Sequence, residues 1–313
     1  MKQDQTEIQK LNREKSRVAS LSVLSNTVLL ISKLTVGLLI GSVSVVSEGI
    51  HSGIDLIAAV IAFFSVRKSS QPPDQTHYYG HGKLENISGA VEALLILVAS
   101  FLIIREAYLK LVHGIVLEDV NLGIVVMVVS VIANYFISNL LLKTAKKTES
   151  IALEADAWHL RTDVLTSLGI LGGLVIIRFT GIKILDPVMA IIVALLILRA
   201  GINLIWKSVR DLMDVSLPQA EEEKIKAIIR KHAGDYLEFH KMRTRKAGSD
   251  RFIDFHLVVC QDTSIEVAHA LADKIEKEIQ SQFPRASVII HLEPCENLKE
   301  CETCDKSTHV TRS

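Results

Sequence analysis

The sequence predicts an α-helical membrane protein, in which a six-helix transmembrane bundle is followed by a small α/β domain with the element order αββαβ. Apolar residues make up 49% of the 313 residues, and charged residues only 22%. Long runs with few charges fill residues 18–206, whereas the chain from Lys207 onward has the composition of an ordinary soluble domain. This contrast is typical of an integral membrane protein with a soluble tail.

Six apolar stretches are long enough to cross a hydrocarbon core of roughly 30 Å, which takes about 20 helical residues. They cover residues 18–39, 43–66, 86–108, 120–142, 151–178 and 185–206. Residues 1–17 are polar and lead directly into the first stretch, so we expect that helix to be retained rather than cleaved as a signal. The predicted domains are an N-terminal arm at 1–17, the transmembrane domain at 18–208, the α/β domain at 209–296 and a Cys-containing tail at 297–313.

The distribution of lysine and arginine among the short loops predicts the orientation of the bundle. The N-terminal arm and the loops after the second and fourth spans are rich in basic residues, and the alternate loops are poor in them. The basic residues on the rich side are Lys2, Lys10, Arg13, Lys15, Arg17, Arg67, Lys68, Lys83, Lys143, Lys146 and Lys147. We therefore expect both termini in the cytoplasm and the protein in a cell (plasma or inner) membrane, with the lipid bilayer as its surroundings.

The soluble part alternates between helical and strand patterns. Residues 220–233 and 264–282 have apolar residues at helical spacing, which predicts two amphipathic helices. Residues 236–245, 251–260 and 287–293 have the alternation of strands. The link from Ala247 to Asp250 predicts a hairpin turn. A domain of roughly 85 residues in this order is a two-layer α/β fold.

Charge and cysteine content exclude some classes of partner. The formal net charge is zero, so nucleic-acid binding has no electrostatic support. The four cysteines are Cys260, Cys295, Cys301 and Cys304. In a cytoplasmic tail we expect thiols or metal thiolates rather than disulfides.

Ionisable residues inside two of the spans predict a metal site in the membrane. The second span contains His51 and Asp55, and the fifth contains His159 and Asp163 with the same spacing. Positions four apart lie on one face of a helix. Two such helices face to face would therefore bring two imidazoles and two carboxylates together. Such a mixed set suits tetrahedral Zn²⁺, with Co²⁺ and Cd²⁺ as rivals.

Each pair also has a structural interpretation that involves no metal. A histidine inside a span often makes a hydrogen bond between helices, and an aspartate could pair with Lys33 of the first span. The recurrence of the same spacing in two spans favours the metal site, because intramembrane ionisable groups usually mark a transport path.

Two further sets of candidate ligands lie outside the spans. The loop after the second span carries Asp74, His77 and His81, which could close around a metal or could be a solvated loop with turn glycines. The α/β domain carries four histidines and one glutamate, each of which taken singly is more typical of an ordinary surface residue. They are His240, His256, His269, His291 and Glu293.

Several stretches together resemble the cation diffusion facilitator family, most closely its bacterial ferrous-iron/zinc efflux type. The stretches are GSVSVVSEGIHSGIDL, QPPDQTHYYGHGKLE, ADAWHLRTDVLTS, LDPVMAIIVALLIL, HKMRTRKAG and VIIHLEPC. The resemblance covers residues from about 15 to 295. It implies a homodimer of six-helix membrane units with ferredoxin-like cytoplasmic domains.

The resemblance also implies a role for each candidate set. His51, Asp55, His159 and Asp163 would form the transport site, and Asp74, His77 and His81 the loop site of the family. His240, His256, His269, His291 and Glu293 would form a two-metal site, in which Zn²⁺ is structural or regulatory. Two residues depart from the pattern of the bacterial relatives: histidine stands at position 51, as in the zinc-selective branch, and Glu293 replaces an aspartate. Beyond the family core, Cys301 and Cys304, with Cys295 and His309 nearby, have the spacing of half a zinc site.

The function predicted from these residues is efflux of a divalent metal ion, with Zn²⁺ exchanged for protons by alternating access. An exporter of Mn²⁺, Fe²⁺, Co²⁺ or Cd²⁺ with the same architecture is an alternative, and so is a membrane metal sensor without flux. We do not expect an enzyme, because the chain has neither the H-E-x-x-H nor the G-x-S-x-G motif.

Overall fold

The computed structural model describes residues 2–40, 43–113, 123–180 and 184–295, which belong to two compact units that meet between Met213 and Asp214. The first unit is built from six α-helices. They are α1 (Lys2–Ile40), α2 (Val43–Ser69), α3 (Lys83–His113), α4 (Gly123–Thr148), α5 (Ile151–Thr180) and α6 (Leu185–Leu212). These are the six helices predicted from hydropathy, and the predicted fold class is confirmed.

Five of these helices, all except α5, are long and apolar enough to cross a membrane. Helix α5 has 30 residues, which is ample length, but its first half carries Glu154, Asp156, Arg161 and Asp163. The first ten residues of α5, 151–160, are largely buried, and the helix contacts α2, α3, α4 and α6. The charges that lower its hydropathy are therefore turned into the bundle, as expected for polar groups in a membrane.

The outer surface of the bundle is apolar. Large side chains such as Leu39, Phe64, Phe101 and Phe136 are well over half exposed. A water-soluble domain of this size would hide most of them, because large contiguous apolar patches promote association. Lipid tails are their natural surroundings.

Helix α1 begins at Lys2, so the polar segment expected as an arm ahead of the first span belongs to the same helix. Its Lys15 is 1% exposed, and the Nζ atom of Lys15 lies 2.5 Å from Oε1 of Glu85 at the start of α3. Ser69 at the end of α2 donates to the same carboxylate at 2.7 Å, and Ser150 just before α5 also donates to it. This buried charge joins four helices at the end of the bundle where α2 ends and α3 and α5 begin, here called the loop end.

The second unit follows the predicted order. It consists of α7 (Gln219–Arg230), β1 (Glu238–Ala247), β2 (Asp250–Val259), α8 (Ile265–Gln282) and β3 (Ala286–Pro294). The sheet order is β1-β2-β3, with β1 antiparallel and β3 parallel to β2. The hairpin turn between β1 and β2 uses Gly248 at φ 60°, where glycine avoids the strain of a side chain.

One face of the sheet forms the core of this unit. Along β2 every second residue is buried, namely Ile253, Phe255, Leu257 and Val259. Both helices cover that face with apolar residues at helical spacing, such as Ile225 and Ile229 of α7 and Ile275 and Ile279 of α8. The other face keeps the alternate residues, including His256, accessible to solvent.

Candidate metal-binding sites

Helices α2 and α5 bring the four predicted membrane ligands together. Nε2 of His159 lies 3.1 Å from Oδ1 of Asp55, and Nε2 of His51 lies 3.9 Å from the same oxygen. Donor atoms of His51, Asp55 and Asp163 all lie within 4.8 Å of one another. The i, i+4 spacing on each helix produces this arrangement, because the two pairs project from facing sides.

The four ligands differ in their access to the surroundings. The side chains of Asp55 and His159 are 6% and 7% exposed, whereas that of His51 is 52% exposed. Two buried atoms of the site, Oδ2 of Asp163 and Nδ1 of His159, have no hydrogen-bond partner among the residues that the structure describes. Buried polar atoms are rarely left in this state unless the site has a chemical use. The donor set of imidazole nitrogens and carboxylate oxygens fits a zinc-like cation.

Lys33 adds a positive charge beside the membrane ligands. Its buried Nζ donates to the hydroxyl of Ser52 at 2.9 Å, next in sequence to His51. The Lys33 charge also attracts the carboxylate of Asp163. A lysine of the first span can therefore attract an aspartate without excluding a metal site, because Lys33 lies beside the candidate ligands.

Two buried carboxylates near this site were not among the residues predicted from the sequence. Glu92 of α3 is 0% exposed and Asp156 of α5 is 1% exposed. Asp156 precedes His159 by three residues, so it lies on the same side of α5. The signal that marked His51, an ionisable residue in an apolar stretch, applied equally to Glu92 and Asp156.

The loop between α2 and α3 gathers its three predicted ligands. Oδ1 of Asp74 lies 3.1 Å from Nδ1 of His77, and Oδ2 of Asp74 lies 3.2 Å from Nε2 of His81. The backbone and hydroxyl of Thr76 donate to Asp74, and these hydrogen bonds, followed by those from His77, hold the pKa of that carboxyl well below its usual range. Asp74 is thus kept ionised and ready to bind a cation.

On the accessible face of the second unit, three of the four predicted histidines lie around the fifth predicted ligand, Glu293. Nδ1 of His256 lies 2.6 Å from Oε1 of Glu293, and Nε2 of His240 lies 3.2 Å from Oε2. Nε2 of His291 lies 3.7 Å from Oε1 of Glu293, and the centres of the His291 and His256 rings are 4.7 Å apart. The strand register explains the cluster, because His240 pairs with His256 and His256 pairs with His291.

His269 is not brought into this cluster. It lies on α8, is 72% exposed, and its Nε2 is 3.7 Å from Asp273. The longer side chain of Glu293 nonetheless reaches the histidines. The hydrogen bond from His256, together with the positive charges around it, lowers the pKa of Glu293.

The cysteines differ from the expectation of free thiols, because Cys260 and Cys295 form a disulfide. Val259 and Pro294 are opposite each other in the parallel pair β2–β3, so the two cysteines that follow them are also neighbours. The backbone N–H of Cys295 donates to Val259, which fixes this register. Strand pairing could not be read from the cysteine spacing alone. Cys301, Cys304 and His309 lie outside the described residues.

Comparison with known proteins gives the family. Residues 19–213 match the model of the cation efflux transmembrane domain, and residues 217–295 match that of the cation efflux protein cytoplasmic domain. The chain belongs to the cation efflux family. It is a multi-pass membrane transporter, and the resemblance seen in its motifs is confirmed.

Relatives in this family span nearly the same length. The chain is 34% identical over 266 residues to the transporter sll1263 of Synechocystis sp., which covers 85% of this chain and 86% of the relative. It is 31% identical over 269 residues to the cation-efflux pump FieF of Yersinia pestis, which covers 86% of this chain and 89% of that pump. A solved structure of CzrB in a zinc form is 42% identical and covers 25% of this chain and 90% of its own, with a TM-score of 0.25.

Proposed function

We propose that this transporter exports Zn²⁺ from the cytoplasm in exchange for protons, as a homodimer in the cell (plasma or inner) membrane with both termini in the cytoplasm. The observation that carries the proposal is the convergence of His51, Asp55, His159 and Asp163 between α2 and α5. These residues are the transport ligands in our proposal.

The chemistry of these ligands supports exchange of a metal ion for protons. Imidazole and carboxylate bind Zn²⁺ only after they lose their protons, so metal binding releases protons and protonation releases metal. Histidine titrates near neutrality, which makes this competition effective at physiological pH. The partly exposed His51 and the buried Asp55 and His159 suit a site that opens to one side at a time.

The other two clusters support accessory roles for metal ions. We assign the loop set Asp74, His77 and His81 to metal binding at the loop end. We assign His240, His256, His291 and Glu293 to a structural or regulatory Zn²⁺ site in the cytoplasmic domain. The matched model of that domain is one named for dimers, which supports a homodimer. His269, which faces away from this set on α8, remains a candidate ligand for a metal shared between two copies.

A metal sensor without flux is the weaker candidate. It would use the histidines of the cytoplasmic domain but would leave the four membrane ligands without a role. Reconstituted vesicles with an imposed pH gradient separate the two functions. An exporter moves Zn²⁺ in a direction set by the gradient and moves protons the other way, whereas a sensor binds Zn²⁺ with no flux of either ion.

His51→Asp should broaden the metal selectivity of transport. A carboxylate in place of the imidazole removes one of the nitrogen ligands that suit Zn²⁺ and can bind through one or both oxygens, which relaxes the preference for Zn²⁺ over rival cations such as Fe²⁺ and Cd²⁺. We expect transport of Fe²⁺ or Cd²⁺ relative to Zn²⁺ to rise about tenfold, the size of a 1.4 kcal/mol change in relative binding. The measurement is metal-by-metal uptake into vesicles.

Gln261→Asp is the control for His51→Asp, because it also introduces an aspartate but does so at an exposed position outside the bundle. Its selectivity among transported metals should equal that of the unmodified protein. Unchanged selectivity in His51→Asp would contradict the role given to His51.

Glu293→Gln should weaken Zn²⁺ binding to the cytoplasmic domain by at least about tenfold, because loss even of a neighbour of a metal ligand costs that much. The experiment titrates Zn²⁺ into the full-length protein in an Asp163→Ala background, which disables the membrane site. Glu266→Gln on the exposed side of α8 is the control and should bind normally.

The difference in Zn²⁺ affinity between the unmodified protein and Glu293→Gln should depend on pH in a defined direction. The pKa of Glu293 is lowered by its hydrogen bond from His256, so the carboxylate contributes at every pH above the ordinary glutamate value of about 4.3. Its contribution disappears only as pH falls through the lowered value. The gap in affinity between the unmodified protein and Glu293→Gln should therefore persist down to about pH 5. A gap that closes near pH 6 would contradict this assignment.

A further inference from the structure

Glu92 and Asp156 form a buried carboxyl pair between α3 and α5 that the proposed transport mechanism does not use. They lie close enough for electrostatic repulsion, and both are almost fully enclosed. Neither carboxyl oxygen of Glu92 has a hydrogen-bond partner among the described residues, and the polar group that faces Asp156 is the hydroxyl of Ser22. Two like charges side by side in such surroundings are costly, because each loses its hydration and repels the other.

Close helix packing creates this environment. Gly89 lies one turn before Glu92 on α3, and a Cβ atom there would come within 2.7 Å of Ile151 and 2.9 Å of Ser208. Ala93 of α3 and Ala155 of α5, each next in sequence to one member of the pair, are 0% exposed in one apolar cluster. The small residues allow α3 to approach α5 and α6 closely, and the carboxyl oxygens of the pair are buried in this packing.

The groups that act on the pair connect it to the transport site. Asp156 is influenced by Asp55 from α2, by His159 from α5 itself and by the hydroxyl of Ser22 from α1. Glu92 is influenced by Asp156. Lys15 at the loop end is engaged by Glu85. The pair is thus coupled to two of the proposed metal ligands on one side.

We propose that Glu92 and Asp156 form a proton-binding pair, which releases a proton when the neighbouring transport site takes up its metal ion and regains the proton when the metal leaves. The proposal rests on the proposed Zn²⁺/H⁺ exchange and adds to it a carrier that is not a metal ligand. The step is a simple ionisation, in which a carboxyl O–H bond breaks, its electron pair stays on oxygen and the proton leaves toward water.

The direction of the coupling follows from electrostatics. A divalent cation bound by Asp55 and His159 places positive charge near Asp156, which favours the ionised form of the pair. Departure of the cation leaves Asp156 beside the negative charge of Asp55, which favours the protonated form. Two carboxyl groups alone offer too few ligands for Zn²⁺, which takes four in structural sites. A proton suits the pair better than a second metal ion.

The test counts protons released per Zn²⁺ bound, by isothermal titration of the full-length protein in buffers of different ionisation enthalpy. Glu92→Gln imitates the protonated acid and should preserve the fold. It should lower the proton count by about one per protomer, because an interacting pair that shares a proton titrates as a unit. Its Zn²⁺ affinity should stay close to that of the unmodified protein. The cytoplasmic sites contribute equally to both proteins and cancel in the difference.

Infrared difference spectra give a second readout that does not depend on transport. Zn²⁺ should remove a carbonyl band of a protonated carboxyl group in the unmodified protein, and this loss should be reduced in Glu92→Gln. Asp156→Asn should behave in the same way and replaces Glu92→Gln if that variant does not assemble. Glu106→Gln, on an exposed position of the same helix, is the matched control and should change neither readout.

Two results would overturn the assignment of the pair. An unchanged proton count and an undiminished carboxyl band in both variants would make the pair purely structural. A large fall in Zn²⁺ affinity in Glu92→Gln would make Glu92 a metal ligand. Failure of the underlying exchange has a different outcome, since the unmodified protein would then release no protons when Zn²⁺ binds.

Discussion

Asp163→Ala should reduce Zn²⁺ flux in proteoliposomes by about 100-fold or more, the upper end of what loss of a neighbour of a metal ligand costs. The substitution removes a carboxylate whose donor oxygen lies within 4.8 Å of those of His51 and Asp55. Its Oδ2 atom has no hydrogen-bond partner in the described structure, so the substitution removes the attraction to Lys33 but leaves the hydrogen bond between His159 and Asp55 in place. The variant should therefore fold, insert and dimerise normally while transport fails.

Asp262→Ala provides the comparison for Asp163→Ala, because Asp262 is exposed in the turn that precedes α8. Zn²⁺ flux in this control should equal that of the unmodified protein at matched protein density. Normal flux in Asp163→Ala would remove Asp163 from the transport site. Unfolding of Asp163→Ala in detergent would instead show that its carboxylate stabilises the bundle.

Lys15→Met should destabilise the membrane unit by about 3–5 kcal/mol, because loss of one partner leaves the other charge buried and uncompensated. Glu85 is 1% exposed and would keep only the hydrogen bonds from Ser69 and Ser150. The measurement is denaturant or thermal unfolding of the purified protein in detergent. The double variant Lys15→Met/Glu85→Gln should recover much of the loss, because it removes both charges.

Lys147→Met is the matched control for Lys15→Met. Lys147 pairs with Glu14 at 2.5 Å, but its side chain is 53% exposed. A pair in such a position contributes about 0–1 kcal/mol, since water screens the charges. Equal effects of the two lysine variants would contradict the importance given to burial of Lys15.

The fold could be predicted because its two units follow simple periodic patterns. Apolar length identified the six helices, although α1 begins well before its predicted start. Residue alternation identified β1, β2 and β3, and each of these strands lies within a few residues of its predicted bounds. The four candidate membrane ligands could be chosen because the i, i+4 spacing places His51 with Asp55 and His159 with Asp163, and the structure brings the four side chains together. Contacts between helices and strands were harder to predict from the sequence, since they depend on strand register and on how each helix is rotated about its axis.

Three features illustrate that limit. The disulfide between Cys260 and Cys295 depends on the pairing of β2 with β3, which residue spacing does not reveal. The exclusion of His269 from the cluster depends on which side of α8 it faces. The burial of Lys15 depends on Glu85, which lies 70 residues away in the chain. No pattern in the sequence links these two residues.

Two buried side-chain contacts fasten helix α1 at separate points along its length, one from Lys15 to Glu85 and one from Lys33 to Ser52. The two lysines are separated by about 27 Å along the helix axis at 1.5 Å per residue, and the whole helix is about twice as long as a hydrocarbon core is thick. A helix of that length answers a thinner or thicker bilayer by changing its tilt. Since one fastening, from Lys33 to Ser52, lies next in sequence to His51, we expect the proposed transport site to respond to bilayer thickness and so to the lipid composition of the host membrane.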